Sequence, residues 1–322
     1  MPKIDVYEQA FFDYLGTRMD TDDLEQLLTV AKAELDAETD ERGITKFELN
    51  DTNRPDLWSA AGLARQLRIY RGAQMPFYDF ISREGDIKDP QERRFIVHPE
   101  LEHTRPYLAA FAVAGKHIDE PGLLDLIQTQ EKLAWNYGRK RKSVAIGVYR
   151  SALVKYPIHY LGADPETTKF QPLGADREMT LREILTSHPK GQEFASLVDG
   201  FELMPLLKDD RGEIVGFPPV INSAYIGGVQ EGDWQLFVEM TGLDLHQLLL
   251  TANIIACDLA DHGYRVLPIR VVYPYDTPLG REIVTPYYFQ KPQTVEVSHA
   301  EKMLGVSLTA EQVTESLGRM GI

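Results

Sequence analysis

The chain has 322 residues, 43% hydrophobic and 26% charged, which supports a sizeable core divided over two or three domains. Its formal net charge of −15 argues against a general phosphate-neutralising surface, so any contact with nucleic acid requires a local basic patch. No apolar run reaches spanning length, no charged-then-apolar leader is visible, and one cysteine excludes a disulfide within the chain. We therefore expect a cytoplasmic protein that is neither exported nor inserted in a membrane.

The first segment, up to about Arg71, predicts a small α/β unit. Asp20 or Thr21 is placed to cap a helix with apolar residues at helical spacing. The Asn-Arg-Pro-Asp motif at 53–56 is turn chemistry, and either its aspartate or Ser59 can cap the helix that follows over 60–70. A polar connection with a charge-rich run at 89–94 comes next, and we place a domain boundary between residues 85 and 86.

The middle of the chain predicts strands alternating with helices. Residues 107–113 and 144–149 are short apolar strands, and 123–137 is a helix between them. A helix starts at Leu181, and the turn at 209–212 joins two apolar runs into a hairpin over 206–215. Residues 264–275 are rich in β formers, and the Thr309 to Gln312 spacing is a capping box that opens a last helix.

One basic cluster stands out in this acidic chain: four consecutive cations directly before the strand at 144–149. The cluster consists of Arg139, Lys140, Arg141 and Lys142. It has two interpretations that the sequence leaves open. It is either a solvated turn that keeps a strand end soluble, or a phosphate contact and thus the best candidate for an RNA-facing site.

The stretch from 216 to 263 holds the main candidate site. Residues 235–240 alternate as a strand does, with Phe237 and Glu239 on one face. Thr241 follows at capping-box spacing from Asp244, and an apolar-periodic helix continues to Gly263. The pattern therefore predicts a carboxylate and a hydroxyl where a strand meets a helix N-terminus, a common place for ligands. Thr241 is equally well interpreted as an N-cap.

The motifs of several enzyme classes are missing from the sequence. It has no Gly-rich phosphate loop, no Gly-x-Ser-x-Gly elbow, no His-Glu-x-x-His and no Cys/His set at zinc spacing, so we predict no metal site. Residue chemistry alone indicates a pocket with Glu239, Thr241 and Asn222, the last being more typical of a turn at a strand end. It does not name a reaction.

Several collinear blocks resemble the β subunit of phenylalanyl-tRNA synthetase in its archaeal/eukaryotic form. Among them are the Asn-Arg-Pro-Asp and Gly-Leu-Ala-Arg motifs and the Pro-Pro-Val-Ile-Asn and Thr-Gly-Leu-Asp motifs. The blocks lie at 48–68, 105–109, 130–132, 138–142, 145–149, 218–222 and 241–244. The match runs along the whole chain, which makes it more specific than any one block.

The resemblance implies an α+β fold in three parts. It implies a small N-terminal α/β domain at 1–85, a central editing-type domain of mixed sheet with covering helices at 86–284, and the truncated start of a second small domain at 285–322. The ligase site of the family belongs to the α subunit. This chain would work with that subunit, the remaining C-terminal part of the β subunit and tRNA(Phe), while ATP and magnesium serve the whole enzyme and no cofactor belongs to this chain.

The same resemblance implies an editing pocket that hydrolyses tyrosine wrongly esterified to tRNA(Phe). It maps onto Leu207, Gly216, Glu239 and Thr241, with Glu239 and Thr241 as the catalytic candidates. The strand pattern adds Phe237 as a further lining residue. Relatives often carry serine at 216 and sometimes aspartate at 239, and loss of that serine hydroxyl removes a contact to water or the ester, which affects the hydrolytic rate more than binding. The alternative is a non-catalytic paralogue that binds tRNA, the α subunit or an aromatic amino acid.

Overall fold

The computed structural model describes residues 2–50, 53–83 and 93–322. These residues divide into two compact units, one made of Met1–Tyr78 with Phe289–Ile322 and the other of Asp79–Tyr288. The expected mixed α+β class is confirmed. The predicted boundary between residues 85 and 86 lies outside the described residues, and the division into three domains stays a prediction.

The N-terminal part of the first unit packs helices on a small antiparallel sheet. Its elements are β1 (Lys3–Tyr7), α1 (Glu8–Leu15), α2 (Thr21–Leu28), β2 (Ala33–Ala37), β3 (Ile44–Leu49) and α3 (Ala60–Tyr70). The strand order is β1-β3-β2, and Phe47 of β3 meets Phe11 of α1 edge to face in the core. Asp20 caps α2, and Ser59, not the aspartate of the 53–56 motif, caps α3 by accepting from the Gly62 amide at 2.9 Å.

The second unit is built on one large mixed sheet. Its strands are β4 (Arg94–Val97), β5 (Tyr107–Ala114), β6 (Val144–Arg150), β7 (Ile158–Ala163), β8 (Lys169–Phe170), β9 (Met179–Thr180), β10 (Met204–Asp209), β11 (Ile214–Phe217), β12 (Ile221–Asn222), β13 (Gln235–Gly242), β14 (Arg265–Val272) and β15 (Glu282–Thr285). Among the described residues, all except β8 and β9 join this sheet, in the order β12-β11-β10-β7-β4-β14-β5-β13-β6, with β15 also on β14. The strands β8 and β9 form a separate pair.

The first and last strands of this sheet lie close together. The Asn222 side chain on β12 donates from Nδ2 to the Val148 carbonyl of β6 at 3.2 Å. The Arg141 guanidinium, just before β6, donates to the carbonyls of Pro219 and Val220, just before β12, at 3.0 and 2.9 Å. The sheet therefore curls around an interior that both of its ends face.

One long helix covers the face of the central strands opposite this interior. The second unit contains α4 (Glu120–Lys132), α5 (Leu181–Ser187), α6 (Pro189–Phe194), α7 (Ala224–Gly227) and α8 (Leu245–Asp261). α8 packs on β5 and β13 through an apolar face that includes Leu248 and Leu249. The predicted helix at 123–137 begins earlier, at Glu120, and ends in a π-helical turn at Leu133–Tyr137. None of the described helices combines the length and hydropathy needed to cross a membrane.

The last part of the chain returns to the first unit. It holds α9 (Val297–Leu304) and α10 (Ala310–Arg319). The predicted capping box is confirmed, because Thr309 Oγ1 accepts from the Gln312 amide at 3.3 Å and Gln312 Oε1 accepts from the Thr309 amide at 2.9 Å. The guanidinium of Arg319 lies 4.1 Å from the ring centre of Tyr70 on α3.

Candidate functional site

Strand β13 carries the predicted carboxylate into the interior of the second unit. It lies between β5 and β6 and pairs with β5 over Gln235–Gly242 and with β6 over Leu236–Gly242. Because successive side chains of a strand point to opposite faces, Phe237, Glu239 and Thr241 share the face away from α8. All three are at most 1% exposed. The alternation seen in the sequence is therefore confirmed as a strand with an aromatic, a carboxylate and a hydroxyl in one row.

The helix cap predicted at Thr241 is wrong. The strand continues through Gly242, with Thr241 in register with Leu108 on one side and Ala145 on the other. The N-cap of α8 is Asp244, whose Oδ1 accepts from the Gln247 amide at 3.0 Å. The dipole and the unpaired N–H groups of that helix are consequently not at the Thr241 hydroxyl, and the strand–helix junction does not form the site.

The Glu239 carboxyl group has one hydrogen-bond partner and one bare oxygen. Its Oε1 accepts from the Tyr149 hydroxyl at 3.1 Å. Its Oε2 is buried and has no hydrogen-bond partner within the part of the chain that the structure describes. Burial raises the pKa of Glu239 from the usual 4.5 to about 7, against the opposing effects of the Tyr149 hydrogen bond and the Arg105 cation. Near neutral pH this group is therefore present in both protonation states.

Tyr149 fills the space in front of this carboxyl group. It lies opposite Phe237 across β6 and β13, and the two rings stack with centroids 4.7 Å apart and planes 14° apart. Two glycines make room for it. A Cβ on Gly147 would lie 2.4 Å from the Tyr149 hydroxyl, and a Cβ on Gly216 would lie 2.8 Å from it. Burial and the neighbouring Glu239 raise the pKa of Tyr149, so it remains a hydroxyl donor.

A buried arginine holds Thr241 in place. Arg105 is 4% exposed and donates from Nε to Thr241 Oγ1 at 2.9 Å, and also to the Thr241 carbonyl. It donates further to the carbonyls of Lys142 at 3.2 Å and Arg141 at 3.1 Å. Burial lowers its pKa, yet arginine remains charged at neutral pH. A fixed cation therefore links the Thr241 hydroxyl to the basic turn before β6.

The other predicted pocket residues come from the far end of the sheet. Leu207 and Gly216 are cross-strand partners in the hairpin of β10 and β11, which confirms the predicted hairpin, with a bulge after Leu207. Both are buried, and Gly216 approaches the Tyr149 hydroxyl. Asn222 is half-buried and its amide is engaged by β6. Phe237 also contacts Phe95 edge to face at 5.9 Å.

The basic cluster forms a left-handed turn. Arg139, Lys140 and Arg141 have φ of 50°, 54° and 65°, a region that is costly for side chains other than glycine. The Arg141 guanidinium turns inward, onto the Phe194 ring at 4.1 Å and the carbonyls before β12. Arg139, Lys140 and Lys142 are exposed, and the Lys140 ammonium lies 5.0 Å from the centre of the Trp135 ring. Three of the four cations can therefore reach a phosphate backbone.

Arg105 and Tyr149 were not predicted as site residues, although both lie in blocks that carry the family resemblance. Their partners are far away in the chain, at Thr241 and Glu239, so no local spacing signals the contact. Among the described residues, no group of three or more His, Cys, Asp or Glu side chains is placed to hold a metal ion.

The chain is similar to known subunits of one tRNA ligase. Residues 1–73 match the family model of the Phe-tRNA synthetase beta subunit B1 domain. The phenylalanine–tRNA ligase beta subunits of Borreliella burgdorferi strain ZS7 and Borrelia recurrentis are 42% and 41% identical over the whole chain. The chain spans 57% of the length of each of these relatives.

A solved structure matches most of the chain. It is an N-terminal fragment of the phenylalanyl-tRNA synthetase beta subunit from Pyrococcus horikoshii, with a TM-score of 0.88 and 36% identity. The alignment covers 99% of this chain and 89% of that fragment. Fold and comparisons together define a subunit of an aminoacyl-tRNA synthetase. The chain belongs to the phenylalanyl-tRNA synthetase β subunit family and corresponds to its N-terminal region.

Proposed function

We propose that the second unit is the editing region of the β subunit and hydrolyses tyrosine wrongly esterified to tRNA(Phe). One observation carries this proposal. The buried Glu239 carboxyl group already accepts a hydrogen bond from a phenol, in an interior that also holds Leu207, Gly216 and Thr241. These are the positions that the resemblance to the archaeal/eukaryotic form of the family assigns to the pocket.

The chemistry of Glu239 suits the choice between tyrosine and phenylalanine. The two amino acids differ by one hydroxyl, and an apolar synthetic pocket rejects an added hydroxyl only about a hundredfold. A hydrogen bond to a charged acceptor contributes about 1.5–3 kcal/mol, and a phenylalanine ring would leave the buried carboxyl group unpaired. A second pocket built around Glu239 therefore binds the wrong amino acid in preference to the correct one.

The hydrolytic step rests on positioning. The backbone at Thr241 is paired on both sides in the sheet, so its N–H groups do not form a separate anion-binding site. Thr241 presents a hydroxyl that Arg105 fixes by a 2.9 Å hydrogen bond. We propose that this hydroxyl, a bound water and the terminal ribose hydroxyl of the tRNA align the ester for attack.

The basic turn supplies the contact with nucleic acid in this proposal. Arg139, Lys140 and Lys142 are exposed just before β6, while Arg141 anchors the turn. In the assembled cytoplasmic enzyme, the α subunit and the rest of the β subunit bring tRNA(Phe), and ATP and magnesium serve the ligase reaction there. No step of the proposed hydrolysis uses ATP or magnesium.

The test is deacylation of Tyr-tRNA(Phe) by this chain, with Phe-tRNA(Phe) as the control substrate. We expect loss of tyrosine with phenylalanine retained, and Glu239→Ala should reduce both the rate and the preference for tyrosine. Asp209→Asn is the matched control, since Asp209 is a buried carboxylate that accepts from the backbone amides of Lys155, Arg211 and Glu213 and from the Arg211 guanidinium. Wild-type selectivity in Glu239→Ala would remove Glu239 from the site.

A second candidate function is a non-catalytic module that binds tRNA, the α subunit or an aromatic amino acid. The closed interior favours it, because Glu239 is 1% exposed and Thr241 is 0% exposed. Adding the α subunit and the rest of the β subunit separates the two candidates. Deacylation that appears only in the assembled enzyme supports editing, whereas continued inactivity on both substrates supports the binding module.

A further inference from the structure

We propose that Tyr149 is a resident placeholder for the phenol of the ligand, and that a tyrosyl group reaches Glu239 by displacing the Tyr149 side chain. The inference rests on the proposed function, because it describes how the same site opens. The resident phenol occupies the hydrogen-bonding position of Glu239 and the stacking position on Phe237 at once. A tyrosine ligand would make the same two contacts with the same chemical groups.

The space around Tyr149 is shaped for a phenol. Any side chain at 147 would overlap its ring and hydroxyl, and a Cβ at 216 would approach the hydroxyl to 2.8 Å. Gly147 lies opposite Glu239 in the sheet, and Gly216 belongs to the distant strand β11. Glycines on two separate strands thus leave the room in front of Glu239 that one aromatic ring takes up.

Tyr149 lies on β6, a strand at one end of the sheet. β6 stands last in the strand order and pairs only with β13 among the described strands, whereas β13 has a neighbour on each side. The Asn222 amide holds Val148, the residue next to Tyr149, by one 3.2 Å hydrogen bond. Displacement of Tyr149 therefore leaves the central strands intact.

The exchange of one phenol for another has a defined effect on binding. In the free protein the Tyr149 hydroxyl donates to Glu239 Oε1, and every ligand must first break this contact. That requirement lowers the affinity for tyrosyl and phenylalanyl ligands by the same factor, because the state with Tyr149 displaced from Glu239 is only partly populated. The preference for the hydroxyl comes from Glu239 and is independent of Tyr149. Tyr149 therefore controls access, and Glu239 controls selectivity.

The experiment uses p-cresol and toluene, the side-chain analogues of tyrosine and phenylalanine, on the full chain. Binding is followed by the amide NMR signals of Gly147 and Gly216. We expect Tyr149→Ala to bind p-cresol in the vacated space, as engineered apolar cavities bind benzene, and to prefer it over toluene by about tenfold or more. The preference should disappear when Glu239→Leu is added.

Tyr149→Phe provides a second variant that retains the volume of the ring. It removes only the hydrogen bond to Glu239, so both affinities should rise by the same factor, about tenfold to a hundredfold, with their ratio unchanged. Tyr273→Ala is the control, because Tyr273 is a buried tyrosine whose hydroxyl bonds to the Leu108 backbone. Its cavity should show no preference that depends on Glu239.

Each outcome decides the proposal. Equal p-cresol affinity in wild type, Tyr149→Ala and Tyr149→Phe would overturn the placeholder role, as would a ratio that changes in Tyr149→Phe. The deacylation assay is read separately. Deacylation with no effect of Tyr149 on affinity keeps the editing function and rejects the inference, whereas the expected binding pattern without deacylation keeps the inference and rejects editing.

Discussion

The raised pKa of Glu239 predicts that this one residue makes the second unit less stable as the pH rises. The folded state holds the proton up to a pH of about 7, whereas the ordinary carboxyl value is 4.5. An acid with a raised folded-state pKa stabilises the fold fully below its unfolded value, and this contribution is lost as the pH rises towards the folded value. The difference in pKa, at 1.36 kcal/mol per unit, corresponds to about 3 kcal/mol.

Glu239→Gln isolates this contribution because glutamine has the same shape and does not titrate. We expect the free energy of unfolding of the variant, relative to wild type, to increase by about 3 kcal/mol between pH 4 and pH 8. Urea denaturation at each pH gives the difference, followed by the methyl NMR signal of Met240. Met240 is fully buried in β13 and reports on the second unit alone.

Asp209→Asn is a control of opposite sign. Burial alone would raise the pKa of Asp209, but hydrogen bonds from the amides of Lys155 and Glu213 and from the side chain and amide of Arg211 hold it below the usual range. Its contribution to stability is therefore present at neutral pH and lost as the pH falls. A Glu239→Gln difference that stays flat from pH 4 to pH 8, while Asp209→Asn shows its slope, would refute the reasoning about burial of Glu239.

Two further predictions concern the glycine at 147 and the left-handed turn. Gly147→Ala should lower the melting temperature, since its Cβ would lie 2.4 Å from the Tyr149 ring and overpacking costs about 1–3 kcal/mol. In the Tyr149→Ala background, Gly147→Ala should cause no further loss of melting temperature. A further loss in that background would contradict the clash. Lys140→Gly should raise the melting temperature, because a left-handed φ costs other residues about 1–2 kcal/mol. An unchanged value would mean that the turn is unstrained.

The sequence predicted the local features of the site and missed the contacts between distant strands. Alternation along β13 correctly put Phe237 and Glu239 on one face, and the turn at 209–212 correctly predicted the hairpin, in which the structure pairs Leu207 with Gly216. The cap role predicted for Thr241 was wrong, because the spacing from Thr241 to Asp244 resembles a capping box whether or not the strand has ended. Pairing with β5 and β6 extends the strand through Gly242, and no local pattern reveals partners that lie so far away.

Contacts between residues far apart in the chain also explain why two site residues were not predicted. Arg105 precedes the predicted strand at 107–113, and Tyr149 ends the predicted strand at 144–149. Neither residue has a local pattern that indicates a site. Their partners lie 136 and 90 residues further along the chain. The basic turn was recognised as a cluster of charge, but its inward-facing Arg141 follows from the curl of the sheet. Composition predicts how many cations are present and not which of them face the protein interior.

The curl of the large sheet also has a consequence for folding kinetics. The hydrogen bond of Asn222 to Val148 closes a loop of 74 residues, and those of Tyr149 to Glu239 and Arg105 to Thr241 close loops of 90 and 136. Such non-local contacts raise the contact order and slow folding, because loop-closure entropy is lost before the contacts form. During synthesis, residues 105 and 149 emerge long before their partners at 241 and 239. The site therefore forms only when nearly the whole second unit has been synthesised. A formed site consequently indicates that this unit has folded.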